Sequence, residues 1–216
     1  MVINLSEQYS ILSDWIAEIR DEAVQKDRMR FRYNMERIGE VAAYEISKQL
    51  KGVQKEVSTP LGVAVCKTIA RQPVLATILR AGIPLHTGLS RCFDRAGHAF
   101  IGAYRKHRSD GSFDISLDYL SCPELEGSDL IVADPMLATG ASLVKTLDQL
   151  LKVGRPAHIH VVSVIAATGG ITRVQAAYPE VSFWAGAIDH QLNDKGYIIP
   201  GLGDAGDLAY GTKTQE

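Results

Sequence analysis

The chain has 216 residues, 46% hydrophobic and 22% charged, with a net charge of −2 at pH 7. That is enough for one domain with a sizeable core; it excludes a disordered chain and gives no reason to expect nucleic acid as the main partner. No apolar run is long enough to span a membrane, Met1 to Ser10 is too polar for a secretory leader, and Cys66, Cys92 and Cys122 lack metal spacing and suit a reducing, cytoplasmic setting.

From the N-terminus, Asp14 to Lys26 reads as a helix with Trp15, Ile16, Ile19 and Ala23 on one face. Arg30 to Leu50 reads as a second, with Ile38, Val41, Ala42, Ile46 and Leu50 inward and Gly52 as its stop. Both precede the first sheet strand, so they pack on one side or extend as an N-terminal helical arm over residues 1–52. Gln54 to Val65 reads as a hairpin turning at Thr59-Pro60-Leu61-Gly62.

Val74 to Leu79 has the composition of a buried strand. Arg80-Ala81-Gly82 interrupts it, and Pro84 opens a helix carrying Leu85, Leu89, Cys92 and Phe93. Alone, Arg80 reads as a solvated loop charge. A second strand-loop-helix on the same sheet edge turns it into a candidate ligand position. Ala99 to Tyr104 is a further strand, and Arg105 to Ser112 reads as a polar hairpin or lid.

That second unit is the stretch Ile131 to Ser142, I-V-A-D-P-M-L-A-T-G-A-S. Leu130 to Ala133 reads as a buried parallel strand that turns at Asp134-Pro135. The small-residue loop Ala138-Thr139-Gly140-Ala141-Ser142 follows, and Leu143, Leu147, Leu150 and Leu151 form a helix face that Gly154 stops as a C′ residue. Loops at the carboxyl ends of strands are where open α/β sheets bind ligands. Hydroxyls and unblocked N–H groups at a helix start suit a phosphate. Asp134 can accept from two vicinal hydroxyls, as a ribose presents.

His158 to Ala166 and Val181 to Ile188 read as strands, with a short helix from Thr168-Gly169-Gly170 to Tyr178 between them. His158 and His160 share a face at period two, without a third metal ligand. Asn193 to Thr212 holds five glycines and a proline in twenty residues, which argues against a regular element. Its apolar Tyr197, Ile198, Ile199 and Leu202 argue for an ordered loop that approaches a ligand closely.

D-P-M-L-A-T-G-x-S resembles the ribose-phosphate motif of the uracil phosphoribosyltransferases, a branch of the type I phosphoribosyltransferases. I-L-R-A-G resembles their diphosphate loop, including a non-proline cis peptide, and G-x-Y-R a further diphosphate contact. Y-I-I-P-G-L-G-D-A-G-D resembles their uracil loop. The resemblance covers roughly Thr59 to Thr212, with the motifs in order. Departures are Ala141 for a second Gly, basic residues after Arg105, no Pro-Glu before Gly170, and Leu208-Ala209 where a basic and an apolar residue are usual.

The resemblance implies one α/β domain: an open parallel sheet flanked by helices, with a small C-terminal hood over residues 189–212. It implies conversion of uracil and 5-phosphoribosyl 1-diphosphate (PRPP) to UMP and diphosphate. Asp134 and Arg80 would be catalytic. PRPP would be bound by Arg80, Arg105, Asp134, Pro135, Met136, Leu137, Ala138, Thr139, Gly140, Ala141, Ser142 and Asp204. Uracil would be bound by Ile198, Gly203, Asp204 and Ala205. Mg²⁺ would enter with PRPP, without an assigned side-chain ligand, GTP would act as an allosteric activator as in some relatives, and the chain would form a homodimer or larger homo-oligomer. The alternatives are a different base, or a regulator that senses PRPP or a nucleotide on the same fold.

Overall fold

The computed structural model describes residues 1–107 and 113–213, with 103–107 and 113–118 as backbone only. The chain opens with β1 (Val2–Asn4), α1 (Ile11–Arg20) and α2 (Arg28–Ser47). β2 (Gly52–Thr59) and β3 (Gly62–Ile69) form a separate antiparallel ribbon. Next come β4 (Val74–Leu79), α3 (Ile83–Cys92), β5 (Gly97–His107), β6 (Phe113–Ser121), β7 (Asp129–Ala133), β8 (Met136–Leu137) and α4 (Ala141–Leu150). The chain ends with β9 (His158–Ala167), α5 (Thr168–Ala177), β10 (Ser182–Asp189), β11 (Gln191–Leu192), β12 (Ile198–Ile199) and α6 (Ala205–Tyr210).

The main sheet runs β1-β10-β9-β7-β4-β5-β6, with β8 on β9; every pairing is parallel except β5 with β6. After β4 the chain moves outward to β5 and β6, then returns to β7 on the other side of β4. The order therefore reverses between β4 and β7, and the loops leaving these two strands border the crevice where such sheets bind ligands. β4, β7 and β9 read as nearly unbroken apolar runs because both sheet faces are covered.

Several expectations change. Of the two readings of the N-terminal helices, packing on one side holds and the arm does not: Leu12, Ile16, Ile19, Phe31, Met35, Ile38 and Ile46 share one core cluster with Leu75, Leu85 and Ile131. What stands clear of the core is the β2–β3 ribbon. α1 starts earlier, because Ser10 and Ser13 form a reciprocal cap, and ends at Arg20 rather than Lys26. α4 stops at Leu150 with Leu151 as its cap in right-handed geometry, so Gly154 is not its C′ residue. The glycine-rich C-terminal stretch contains regular structure, the β11–β12 pair and α6, whose N-cap Asp204 accepts from the Asp207 N–H at 3.0 Å. The hairpin reading of Arg105 to Ser112 holds in its described part, since Arg105 to His107 close β5 and pair antiparallel with β6; residues 108–112 lie outside the described residues.

Candidate active site

Asp134 stands where the β7 ladder with β9 breaks for two residues before β8 resumes it. Its N–H donates to the Val162 carbonyl at 3.0 Å, and the Pro135 carbonyl accepts from Val164 and Ile165, both at 3.0 Å. The turn is thus tied to the neighbouring strand on both sides. Burial raises the Asp134 carboxyl to about 7, with an N–H from Met136 pulling the other way.

Met136 is half-buried and Leu137 buried, since both serve as the short strand β8. They position the loop as backbone spacers. Ala138 donates to the Met136 carbonyl at 2.9 Å, and the Thr139 hydroxyl lies 3.4 Å from the Ala141 N–H. Gly140 has φ +75°, and a Cβ there would lie 2.7 Å from the Gly170 carbonyl oxygen. Only glycine fits this left-handed turn against the start of α5. The N-cap residue, Gly140, has no side chain to cap α4, and the Thr139 hydroxyl makes only a long contact with the Ala141 N–H, so the first N–H groups, flanked by Thr139 and Ser142, present the positive end of the helix to an anion.

Arg80 follows β4 through a cis Leu79–Arg80 peptide. Its Nη2 donates to the Gly211 carbonyl at 3.0 Å and sits 3.4 Å from the Asp207 carboxylate. Its buried Nε has no partner among the described residues, so the guanidinium retains donor capacity.

Close backbone approaches bring the loops together. A Cβ on Gly82 would lie 2.9 Å from the Ala133 carbonyl oxygen, which joins the Arg80 and Asp134 loops. One on Gly196 would lie 3.7 Å from Thr139, and one on Gly206 3.8 Å from Ala81. The C-terminal segment therefore touches both sheet loops. Ile198 and Ala205 are only 4% and 3% exposed and join the core, while Gly203, at φ +96°, is exposed. Asp204 is half-buried at the head of α6. Arg105 lies on β5 opposite Ile115; its side chain is outside the described residues.

This arrangement offers a phosphate cradle, a half-buried carboxylate for hydroxyls, a cation with spare donors and a glycine-rich backbone wall. The uracil phosphoribosyltransferase family profile matches residues 6–212. The chain belongs to that family. A uracil phosphoribosyltransferase of Porphyromonas gingivalis is 46% identical over 213 residues, covering 98% of this chain and 99% of its own. One of Thermococcus kodakarensis is 40% identical over 210 residues, covering 95% and 89%. A solved structure of an Aquifex aeolicus protein matches with TM-score 0.87 and 31% identity over the full length of both chains. A Staphylococcus aureus hypoxanthine phosphoribosyltransferase, at 11% identity and TM-score 0.51 over 86% of this chain and 84% of its own, shares the fold.

The folded chain gives partners to residues that sequence reasoning left without a role. Arg20 and Asp189 form a bidentate pair, and Asp207 faces Arg80. Asp207 was visible as the second acid of G-D-A-G-D, but nothing local connected it to Arg80. His158 and His160 part company: His158 pairs with Asp129 at 2.8 Å, whereas His160 is buried and accepts from the Trp184 indole at 3.2 Å. Burial holds the His160 imidazole down to about 4, so it is neutral near pH 7.

The raised Asp134 carboxyl has two pH consequences. A folded-state value above the usual 3.8 favours the native state most at low pH, and this contribution is lost as pH rises from about 4 to about 7. Accepting hydroxyls requires the ionised form, so kcat/KM for PRPP should climb with pH to a plateau above about 7. Comparing wild type with Asp134→Asn from about pH 5.5 to 8.5 isolates this limb from titration of the substrate phosphate. Identical profiles would detach the limb from Asp134.

Proposed function

We propose that the chain transfers the phosphoribosyl group of PRPP to N1 of uracil, giving UMP and diphosphate in pyrimidine salvage. The observation that carries this reading is the convergence of the Arg80 loop, the Asp134–Ser142 loop and the glycine-rich C-terminal segment on one sheet edge. The first N–H groups of α4, with Thr139 and Ser142, hold the 5-phosphate. Asp134 orients the ribose hydroxyls. The bond from the anomeric carbon to diphosphate breaks with its electron pair leaving on diphosphate, N1 bonds to that carbon, and the N1 proton passes to the departing diphosphate or to water. Arg80, with Arg105, meets the negative charge gathering on the departing diphosphate. Positioning of two bound substrates does the rest.

Among the described residues no group of three or more His, Cys, Asp or Glu is placed to hold a metal. Mg²⁺ would be held chiefly by PRPP oxygens, with Asp204 at the head of α6 reaching a metal-bound water, a donor set that suits an ion that keeps its waters. When bound, the ion supplies neutralisation of the diphosphate charge. Uracil-dependent release of diphosphate, lost with EDTA and restored by Mg²⁺, is the expected behaviour; release without uracil, or indifference to EDTA, would contradict it.

A homodimer or larger homo-oligomer is part of the proposal. The β2–β3 ribbon exposes Val53 and Val57 on one face, Val63 and Val65 on the other, and Leu61 at its turn, apolar side chains that a second copy would cover. A cytosolic setting fits the three free thiols, Cys66, Cys92 and Cys122. No helix among the described residues is long and apolar enough to cross a membrane. GTP activation rests on the family resemblance alone.

Arg80→Ala should weaken apparent PRPP affinity by about ten- to 150-fold, the worth of a charge-assisted hydrogen bond. Arg105→Ala should do less, since Arg80 sits on a strand-to-helix turn packed against the hood. Initial rates against PRPP concentration decide it: unchanged affinity in both variants rejects the diphosphate role.

A further inference from the structure

We infer that Arg20 and Asp189 are positioning residues for the base: a clamp that sets the place of the glycine-rich loop and thereby the affinity for uracil. This rests on reading that loop as the base site. Arg20 Nη1 and Nη2 donate to Asp189 Oδ2 and Oδ1, both at 2.8 Å. The same Nη1 donates to the Gly201 carbonyl at 2.9 Å, and the Gly201 N–H donates to Asp189 Oδ2 at 2.9 Å. Both backbone groups of Gly201 are therefore consumed by one ion pair. Gly203 lies two residues on.

The three residues come from three parts of the fold. Arg20 closes α1, Asp189 ends β10, and Gly201 belongs to the hood. Asp189 is 7% exposed, so its carboxylate is held away from water and oriented. Burial opposes its ionisation, but the Arg20 guanidinium and the Gly201 N–H outweigh that and hold its carboxyl below the usual range. The forked geometry is specific to arginine, because a lysine supplies charge without two parallel donors. The Gly201 carbonyl would lose a donor in Arg20→Lys, and Asp189 would lose half its fork. The loop would then shift, and a misplacement on the order of 1 Å is enough to cost a bound substrate its productive position. The phosphate loop and Asp134 sit on β7, β8 and α4, and these hydrogen bonds do not reach them.

The test compares Arg20→Lys, Asp189→Asn and Arg20→Ala with wild type by steady-state kinetics, with circular dichroism and thermal melts to confirm folding. The two conservative variants keep the polar shape, so they remain informative where Arg20→Ala fails to fold. The expected result is a KM for uracil raised about tenfold or more in Arg20→Lys and Asp189→Asn, with KM for PRPP within about threefold. Wild-type KM for uracil in both folded variants overturns the clamp. So does a parallel rise in both KM values, which would mark general loosening. Gly203→Val is run beside them. If it leaves uracil use intact, the base-site reading fails; if it acts and the clamp variants do not, only the clamp fails.

Discussion

Gly203→Val should reduce uracil turnover by at least about a hundredfold while PRPP affinity stays within about threefold. Uracil presents acceptor, donor, acceptor along one edge. No Asn, Gln or Arg lies between Ile198 and Ala205 to read that edge with a side chain. The side chains of Ile198 and Ala205 are turned into the core, so what this stretch offers a ligand is backbone. Gly201 is already committed to Arg20 and Asp189, which leaves the segment around Gly203 to meet the base. Gly203 adopts φ +96°, where a β-branched residue is a genuine outlier. A Cβ there meets nothing closer than 4.0 Å, at Leu208, so the substitution acts through backbone strain rather than a clash. The loop must rotate its peptide groups away from the base. Cytosine, which sets a donor against a donor, is rejected by the same groups at about 1–3 kcal/mol for the unpaired partner. Rates with uracil and PRPP varied separately give the answer, and normal turnover by Gly203→Val would place the base elsewhere.

Asp134→Asn should lower kcat/KM by about ten- to 150-fold with the fold intact. The amide keeps the shape of the carboxylate, and the backbone ties to Val162, Val164 and Ile165 do not involve the side chain. What it loses is the charge that strengthens hydrogen bonds to the ribose hydroxyls, about 1.5–3 kcal/mol. Removing a raised carboxyl also removes its cost at neutral pH, so the variant should melt no lower than wild type above about pH 7. Near-wild-type turnover would take Asp134 out of the site. A variant that unfolds would show that the carboxylate is structural.

The parts of this site that the sequence made legible are local. β4 and β7 are apolar runs of strand length, and each is followed by a short loop with one charged residue, Arg80 or Asp134. The small residues around Gly140 announced a tight turn at a helix start because only such residues fit one. The glycines at 196, 201, 203, 206 and 211 gave the opposite impression. They argued against regular structure, yet α6 forms there because Asp204 caps it and Ala205 and Ala209 bury themselves in the core. β1 has three residues and exists through its partner β10, so no periodicity could disclose it. The Arg20–Asp189 pair spans 169 positions. At the end of an amphipathic helix an arginine looks like solvated charge, and only the folded chain shows what it holds.

Which nucleotide the protein makes decides most directly whether its backbone reads uracil. Wild-type protein is incubated with PRPP, Mg²⁺ and an equimolar mixture of uracil, cytosine and purine bases, and products are resolved by chromatography. UMP should dominate, with any CMP about tenfold to a hundredfold less abundant, as one unpaired polar group requires. Comparable UMP and CMP, a purine nucleotide as the main product, or no nucleotide at all would contradict a site whose backbone reads uracil.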